Sequence, residues 1–205
     1  MLPGDTRRAL HGVAELVLAG PQWRTSGTIR LRVTPGGFGT VAEPDVRVDG
    51  AVLVRGDRRV PIEGRSASAL AEAVGLVVAT LTQVYPGGSG VTVDEPLTAD
   101  PVAAQHLSSC FAAGETALRR LAPHEVPVLW PEHFDVGVTV DAVNYGVSPG
   151  DSLVPEPYAY VGPHRPRTGD FWNQPFGAAT PLGPVPDAEA VLAFFLAGRA
   201  AAALP

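Results

Sequence analysis

Twenty-three glycines and 21 prolines interrupt this chain of 205 residues, and that density limits the fold more than any other feature. Proline removes a backbone donor and clashes with the preceding helical turn, while glycine loses the most conformational freedom when a helix orders it. Few windows are therefore long enough for a helix, and turns with short strands must carry much of the chain. Hydrophobic residues make up 45% and charged residues 18%, which supplies a core and excludes wholesale disorder. A chain of this length buries roughly 70% of its unfolded surface, so a single domain spanning 1–205 needs no staples.

The windows that escape interruption place the elements. Asp5 can cap a helix running to about Leu18, with Leu10, Val13, Ala14 and Val17 as its apolar stripe and Gly20-Pro21 as its stop. Trp23 to Val33 alternates apolar and polar positions, as a strand with one wet face does. Pro35 to Gly39 holds three glycines but no GxGxxG or Walker pattern, so it reads as a turn. Asp49-Gly50 and Gly56-Asp57 sit between β-type runs and read as hairpin turns. Ser66 or Ser68 can cap a helix with Leu70, Val74, Val77, Val78 and Leu81 on one face. Asp100-Pro101 opens another that runs to Leu121, and Asp187 caps a last one through Phe194 and Leu196. The order is α-βββ-α-α-βββ-α with hairpin connections, which gives an α+β fold: a mainly antiparallel sheet with helices packed on one face.

Composition also excludes functions. The single cysteine, Cys110, cannot form an internal disulfide, which points to a reducing, cytoplasmic setting. The N-terminus lacks the apolar run of a signal peptide, and no stretch of about 18 apolar residues can span a membrane. The net charge of −6 argues against a nucleic-acid partner. All 15 basic residues are arginine, which removes lysine Schiff-base chemistry and any P-loop.

Chemistry-bearing residues concentrate between Trp130 and Ala178. Phe134, Val136, Val138 and Val140 form one face of an expected strand, and His133, Asp135, Thr139 and Asp141 the other. His133 and Asp135 then lie roughly 6.5 to 7 Å apart on one surface, where a carboxylate can prepare an imidazole as general acid or base. Both asparagines of the chain, Asn144 and Asn173, fall in this segment. Ser148-Pro149-Gly150-Asp151 has the preferences of a type II turn. Glu156, Tyr158 and Tyr160 share one side of a further strand, and Phe171 to Phe176, with Trp172, can fold over the mouth of a small-molecule pocket.

The runs WPEHFD, NYGVSPGD, PEPYAYVGP and FWNQPFGA resemble an uncharacterised family of actinobacterial proteins, and the arginine-for-lysine bias fits GC-rich genomes of that kind. More distantly they are similar to a bacterial domain-of-unknown-function family. Trp130, Phe134, Asp135, Gly150, Asp151, Tyr158, Ala159 and Tyr160 match that pattern and His133 departs from it. The resemblance implies no activity or cofactor.

Three functions remain open from the residues. One is a metal-free enzyme, with catalytic His133, Asp135 and Tyr158 and a ligand held by Trp130, Asn144, Asp151, Glu156, Tyr160, Trp172 and Asn173. The second is a metal enzyme using His133, Asp135 and His164. The third is a binding module without chemistry, its aromatics forming a ligand cup or a homodimer face. Elsewhere Cys110 reads as a core thiol, with His106 one turn before it. His11 reads as structural or exposed, His124-Glu125 as a solvated pair, and the row Arg24, Arg30 and Arg32 as a plain wet face.

Overall fold

The computed structural model describes residues 3–203, and the chain divides into two compact units: Met1–Ser108 with Leu129–Phe134, and Ser109–Val128 with Asp135–Pro205. In the first, α1 (Pro3–Val13) passes through a π-helical turn (Ala14–Ala19) into α2 (Gly20–Ser26). There follow β1 (Leu31–Thr34), β2 (Gly37–Thr40), β3 (Arg47–Asp49), β4 (Val52–Arg55), β5 (Arg58–Pro61), α3 (Ala67–Ala73), the start of α4 (Pro101–Leu121) and β6 (Val128–Trp130). The strand order is β6-β1-β2-β3-β4-β5, and each of these pairings is antiparallel. One apolar row crosses it in register: Val33, Phe38, Val48, Leu53 and Val60. All five are buried, and the π-helical turn packs against β1, β2 and α3.

In the second unit, β7 (Asp135–Val140), β8 (Val143–Ser148), β9 (Tyr158–Pro163) and β10 (Ala178–Pro181) precede α5 (Ala188–Ala202). They pair antiparallel in the order β10-β9-β8-β7. Val138, Tyr145, Val161 and Ala178 form one buried row, and Val136, Val147 and Ala159 the next. Both helices lie on that face: Gly114 of α4 seats against Val147 and Val136, and Gly198 of α5 against Val161. Phe195 meets Tyr145 edge-on at 5.9 Å. The fold is α+β, antiparallel, with helices on one face. Among the described residues, no helix is long and apolar enough to cross a membrane.

Local signals hold where the chain's own turns decide. Gly50 and Gly56 take the positive φ of their hairpin turns. Ser66 accepts from the Ala69 amide at 3.2 Å, Asp100 from Ala103 at 2.8 Å, and Asp187 from Glu189 at 2.9 Å. Other expectations fail. Asp5 lies inside the first turn of α1 and does not cap it, and Gly37 to Gly39 of the expected turn belong to β2. The first helix does not stop at Gly20-Pro21, because the π-helical turn widens the backbone just ahead of the ring and Gly20 donates to Glu15, five residues back. Trp23 to Ser26 is therefore helical, and the strand begins only at Leu31. Buried Gln22 stabilises this arrangement: its amide donates to the Thr28 and Arg30 carbonyls, both at 2.9 Å, and accepts from the amides of Val41 at 2.7 Å and Ala42 at 2.9 Å. The third helix ends at Ala73, not Leu81, since Gly75 turns left-handed at φ +70° and Leu76 donates back to Ala71 at 2.7 Å.

The close seat of Gly114 yields a stability prediction. A Cβ there would stand 2.7 Å from Val147 Cγ2 and 2.9 Å from its Cβ. Gly114→Val should lower the urea midpoint by the equivalent of about 1–3 kcal/mol through overpacking. A midpoint unchanged from the native protein would show that α4 shifts freely on this face.

Candidate functional site

The Trp130–Phe134 stretch is organised around a residue far upstream in sequence. Residues 131–134 form a turn in which the Phe134 amide donates to the Trp130 carbonyl at 2.8 Å. Phe134 is fully buried at φ +54°, a left-handed conformation that costs a bulky side chain of order 1–3 kcal/mol and persists only where its surroundings enforce it. This break ends the two-residue alternation before β7, so His133 is exposed in the turn and not on the strand with Asp135. Asp135, at the start of β7, is buried. The turn instead makes a socket for His11. The Pro131 carbonyl lies 2.7 Å from His11 Nε2, and Phe134 stacks on the imidazole at 5.3 Å and 7°. Phe38 meets the other ring edge-on at 5.2 Å.

One helical turn on, Glu15 sits in the π-helical segment with 8% exposure. A buried carboxylate needs donors. Tyr85 Oη donates to its Oε1 at 2.8 Å, the Ser89 amide donates to its Oε2 at 2.7 Å, and His11 Nε2 stands 3.8 Å from Oε2. The Tyr85–Gly90 loop can wrap the carboxylate this tightly because Gly87, Gly88 and Gly90 all take positive φ. A Cβ on Gly88 would collide with the carboxylate.

Electrostatics define the working state of the pair. Burial pushes the His11 imidazole below its ordinary value of about 6.5; Glu15 and the Pro131 bond oppose this, while His133 and Arg7 add to it. A carbonyl only accepts, so Nε2 carries the hydrogen and Nδ1 of the neutral ring holds the basic lone pair. Burial, then the adjacent Glu15, drives the Tyr85 phenol well up, so it remains a donor.

In the second unit the structure brings together part of the expected set. Tyr160 opposes Gly146, which opposes Gly137, and its ring lies across both: a Cβ on Gly146 would be 2.5 Å from the Tyr160 ring and hydroxyl, and one on Gly137 would be 3.0 Å from the hydroxyl. This reach lets the Tyr160 hydroxyl donate to Asp135. Tyr158 donates to Asp151 Oδ2 at 2.5 Å, and its ring meets Tyr160 at 6.3 Å. Desolvation, with the paired carboxylates, holds both phenols above their ordinary range. Gly150 takes φ +98° in the expected turn, and Asp151 Oδ1 accepts the amides of Leu153 and Val154 at 2.7 and 2.9 Å.

The other expected residues have separate partners. Asn144 bonds Thr139 at 2.8 Å and His164 at 3.1 Å on an exposed edge. Asn173 clamps the Ala179 backbone through bonds of 3.0 and 2.9 Å. Trp172 packs edge-on against Phe171 at 5.0 Å, Glu156 is exposed in the loop before β9, and Trp130 lies beneath the Arg30 guanidinium at 5.7 Å. Among the described residues, no group of three His, Cys, Asp or Glu side chains is placed to hold a metal ion. Cys110 is buried, its thiol pushed up to about 12 by desolvation, which suits an inert core residue.

Sequence reasoning missed His11, Glu15 and Tyr85. The one available signal was His11 and Glu15 at an i,i+4 spacing beside an apolar stripe; the Tyr85 and Pro131 contacts are long-range and leave no local trace.

Two measurements probe this centre. Gly88→Ala should destabilise the protein by about 1–3 kcal/mol in denaturant titration, because both the collision and the left-handed backbone oppose a side chain; native stability would show that the loop adapts. His11 also links folding to pH. Its folded pKa is depressed, so the stability it supports is complete above its unfolded value of about 6.5 and falls as pH drops through the folded value. Between about pH 7 and pH 5 the melting temperature of the native protein should fall more steeply than that of His11→Gln, and parallel slopes would contradict a neutral buried imidazole.

No family model matches the sequence, and neither a curated protein nor a solved structure is similar to it, so function must be argued from the chain's own residues.

Proposed function

We propose that this protein binds a small molecule and acts on it by general acid–base chemistry, with His11 as the base. The observation that carries the reading is the commitment of His11 Nε2–H to the Pro131 carbonyl at 2.7 Å in a ring that burial keeps neutral. Nδ1 is then the acceptor available to a substrate proton. The imidazolium formed by proton transfer gains from Glu15 Oε2 at 3.8 Å, much as a buried carboxylate supports the histidine of a catalytic triad. Glu15 is a positioning residue, held in turn by Tyr85 and Ser89. The His11 side chain keeps 15% of its surface accessible, so the ring is enclosed but reachable. A π-helical turn and a strained non-glycine residue at one centre also fit this reading, since both features concentrate at functional sites.

The test begins with a thermal-shift screen of small metabolites on the native protein, followed by mass spectrometry of each stabilising compound after incubation. A converted compound should still stabilise folded His11→Gln, with turnover down by roughly 10²- to 10⁴-fold, and Glu15→Gln should lower the pH at which the native rate rises. Full turnover in His11→Gln would remove His11 from the chemistry. Stabilising compounds that remain unchanged would leave a binding protein and refute the enzyme reading.

A further inference from the structure

Several arginines of this chain have evident structural partners. Arg55 caps the end of α3 through the Val74 and Gly75 carbonyls at 2.8 and 3.1 Å, and Arg58 adds the Ala73 carbonyl at 3.1 Å. Arg8 pairs with Glu95, Arg59 with Asp49, Arg119 with Glu115 and Arg120 with Glu189. Arg30, Arg32 and Arg47 stand out by their position on one surface. All three are exposed, and among the described residues none forms an ion pair with a carboxylate.

These three share one surface of the first unit. Arg30, just before β1, and Arg32, within it, flank the buried Leu31 and so share a side, their backbones roughly 6.5 to 7 Å apart where the chain is extended. In register, Arg32 opposes Gly39, which opposes Arg47. Two strand spacings separate the arginine backbones by about 10 Å, and glycine leaves the strip between them without a side chain. A Cβ on Gly39 would be 2.9 Å from Arg47 Cβ, so the Arg47 stem already stands close over that strip.

Two of the guanidinium groups are also held in place without being neutralised. Arg30 is fixed over the Trp130 ring at 5.7 Å. Arg32 donates its Nε to the Thr40 carbonyl at 2.9 Å, leaving its terminal nitrogens as donors. These two have therefore already lost part of the rotamer freedom that binding would cost.

We propose that this arginine face docks a short acidic peptide segment of a partner protein, lying extended with carboxylates at alternate positions. Three observations select that occupant. Arg30 and Arg32 are two residues apart, the interval at which an extended chain presents side chains to one face. Guanidinium forks match carboxylates in a bidentate fashion. The chain's own net charge of −6 repels a long polyanion, so only anions seated directly on the arginines gain. Asp45 and Asp49, one on each side of Arg47 in the alternation, narrow the site to a few carboxylates.

The probe is a fluorescein-labelled peptide of alternating Glu and Val, titrated with the full chain and followed by anisotropy. Binding should weaken as salt rises, and Arg32→Gln/Arg47→Gln should bind at least about 10-fold more weakly. Arg119→Gln, on a helix of the second unit, should bind as the native protein does. Circular dichroism of the double variant confirms that loss of binding is not loss of fold. Absence of binding, or binding unchanged in the double variant, overturns the proposal. So does tighter binding of pyrophosphate or a single-stranded oligonucleotide than of the peptide. Concentration-dependent self-association that the double variant abolishes would assign the face to a second copy and overturn it equally.

Discussion

A carboxylate removed from water governs the first unit. Glu15 occupies the middle of a helix that packs on β1 and β2, and its position there is tolerable only because two donors converge on it. Both come from far along the sequence, a phenol 70 residues downstream and a backbone amide 74 residues downstream, while the His11 ring stands 3.8 Å away. The positive-φ glycines of the Tyr85–Gly90 loop let the chain wrap the carboxylate this closely. Buried charges with incomplete partners are strongly destabilising, so this constellation is expected to form cooperatively, as one network.

The second unit solves a related problem differently. Asp135 begins a strand whose neighbours are short of side chains, since Gly137 and Gly146 lie side by side in register. That gap gives the Tyr160 phenol a path across the sheet to the carboxylate. Here a missing side chain, and not a flexible loop, lets a polar group find its partner.

How much of this was legible in the sequence follows from how local each cause is. Ser66, Asp100 and Asp187 cap helices within three residues of themselves, and Gly50 and Gly56 mark hairpins by their own backbone preference, so the caps and turns could be read directly. Gly20-Pro21 misled because a proline normally stops a helix, and the widened turn that absorbs it depends on packing against the sheet. His133 misled because apolar alternation assumes an unbroken strand, whereas Phe134 reverses its φ to fill the core beside His11. The aromatic-rich segment contributes a carbonyl and a ring face to the proposed site, not the polar side chain that drew attention.

The bond from His11 to Pro131 reaches main chain, and this has an evolutionary corollary. A side-chain acceptor would vanish with a single codon change, whereas a peptide oxygen survives any replacement that preserves the path of the chain. The imidazole tautomer is thereby insulated from drift at positions 131 to 133, and divergent versions of this protein can vary those side chains while inheriting the same proton-accepting nitrogen.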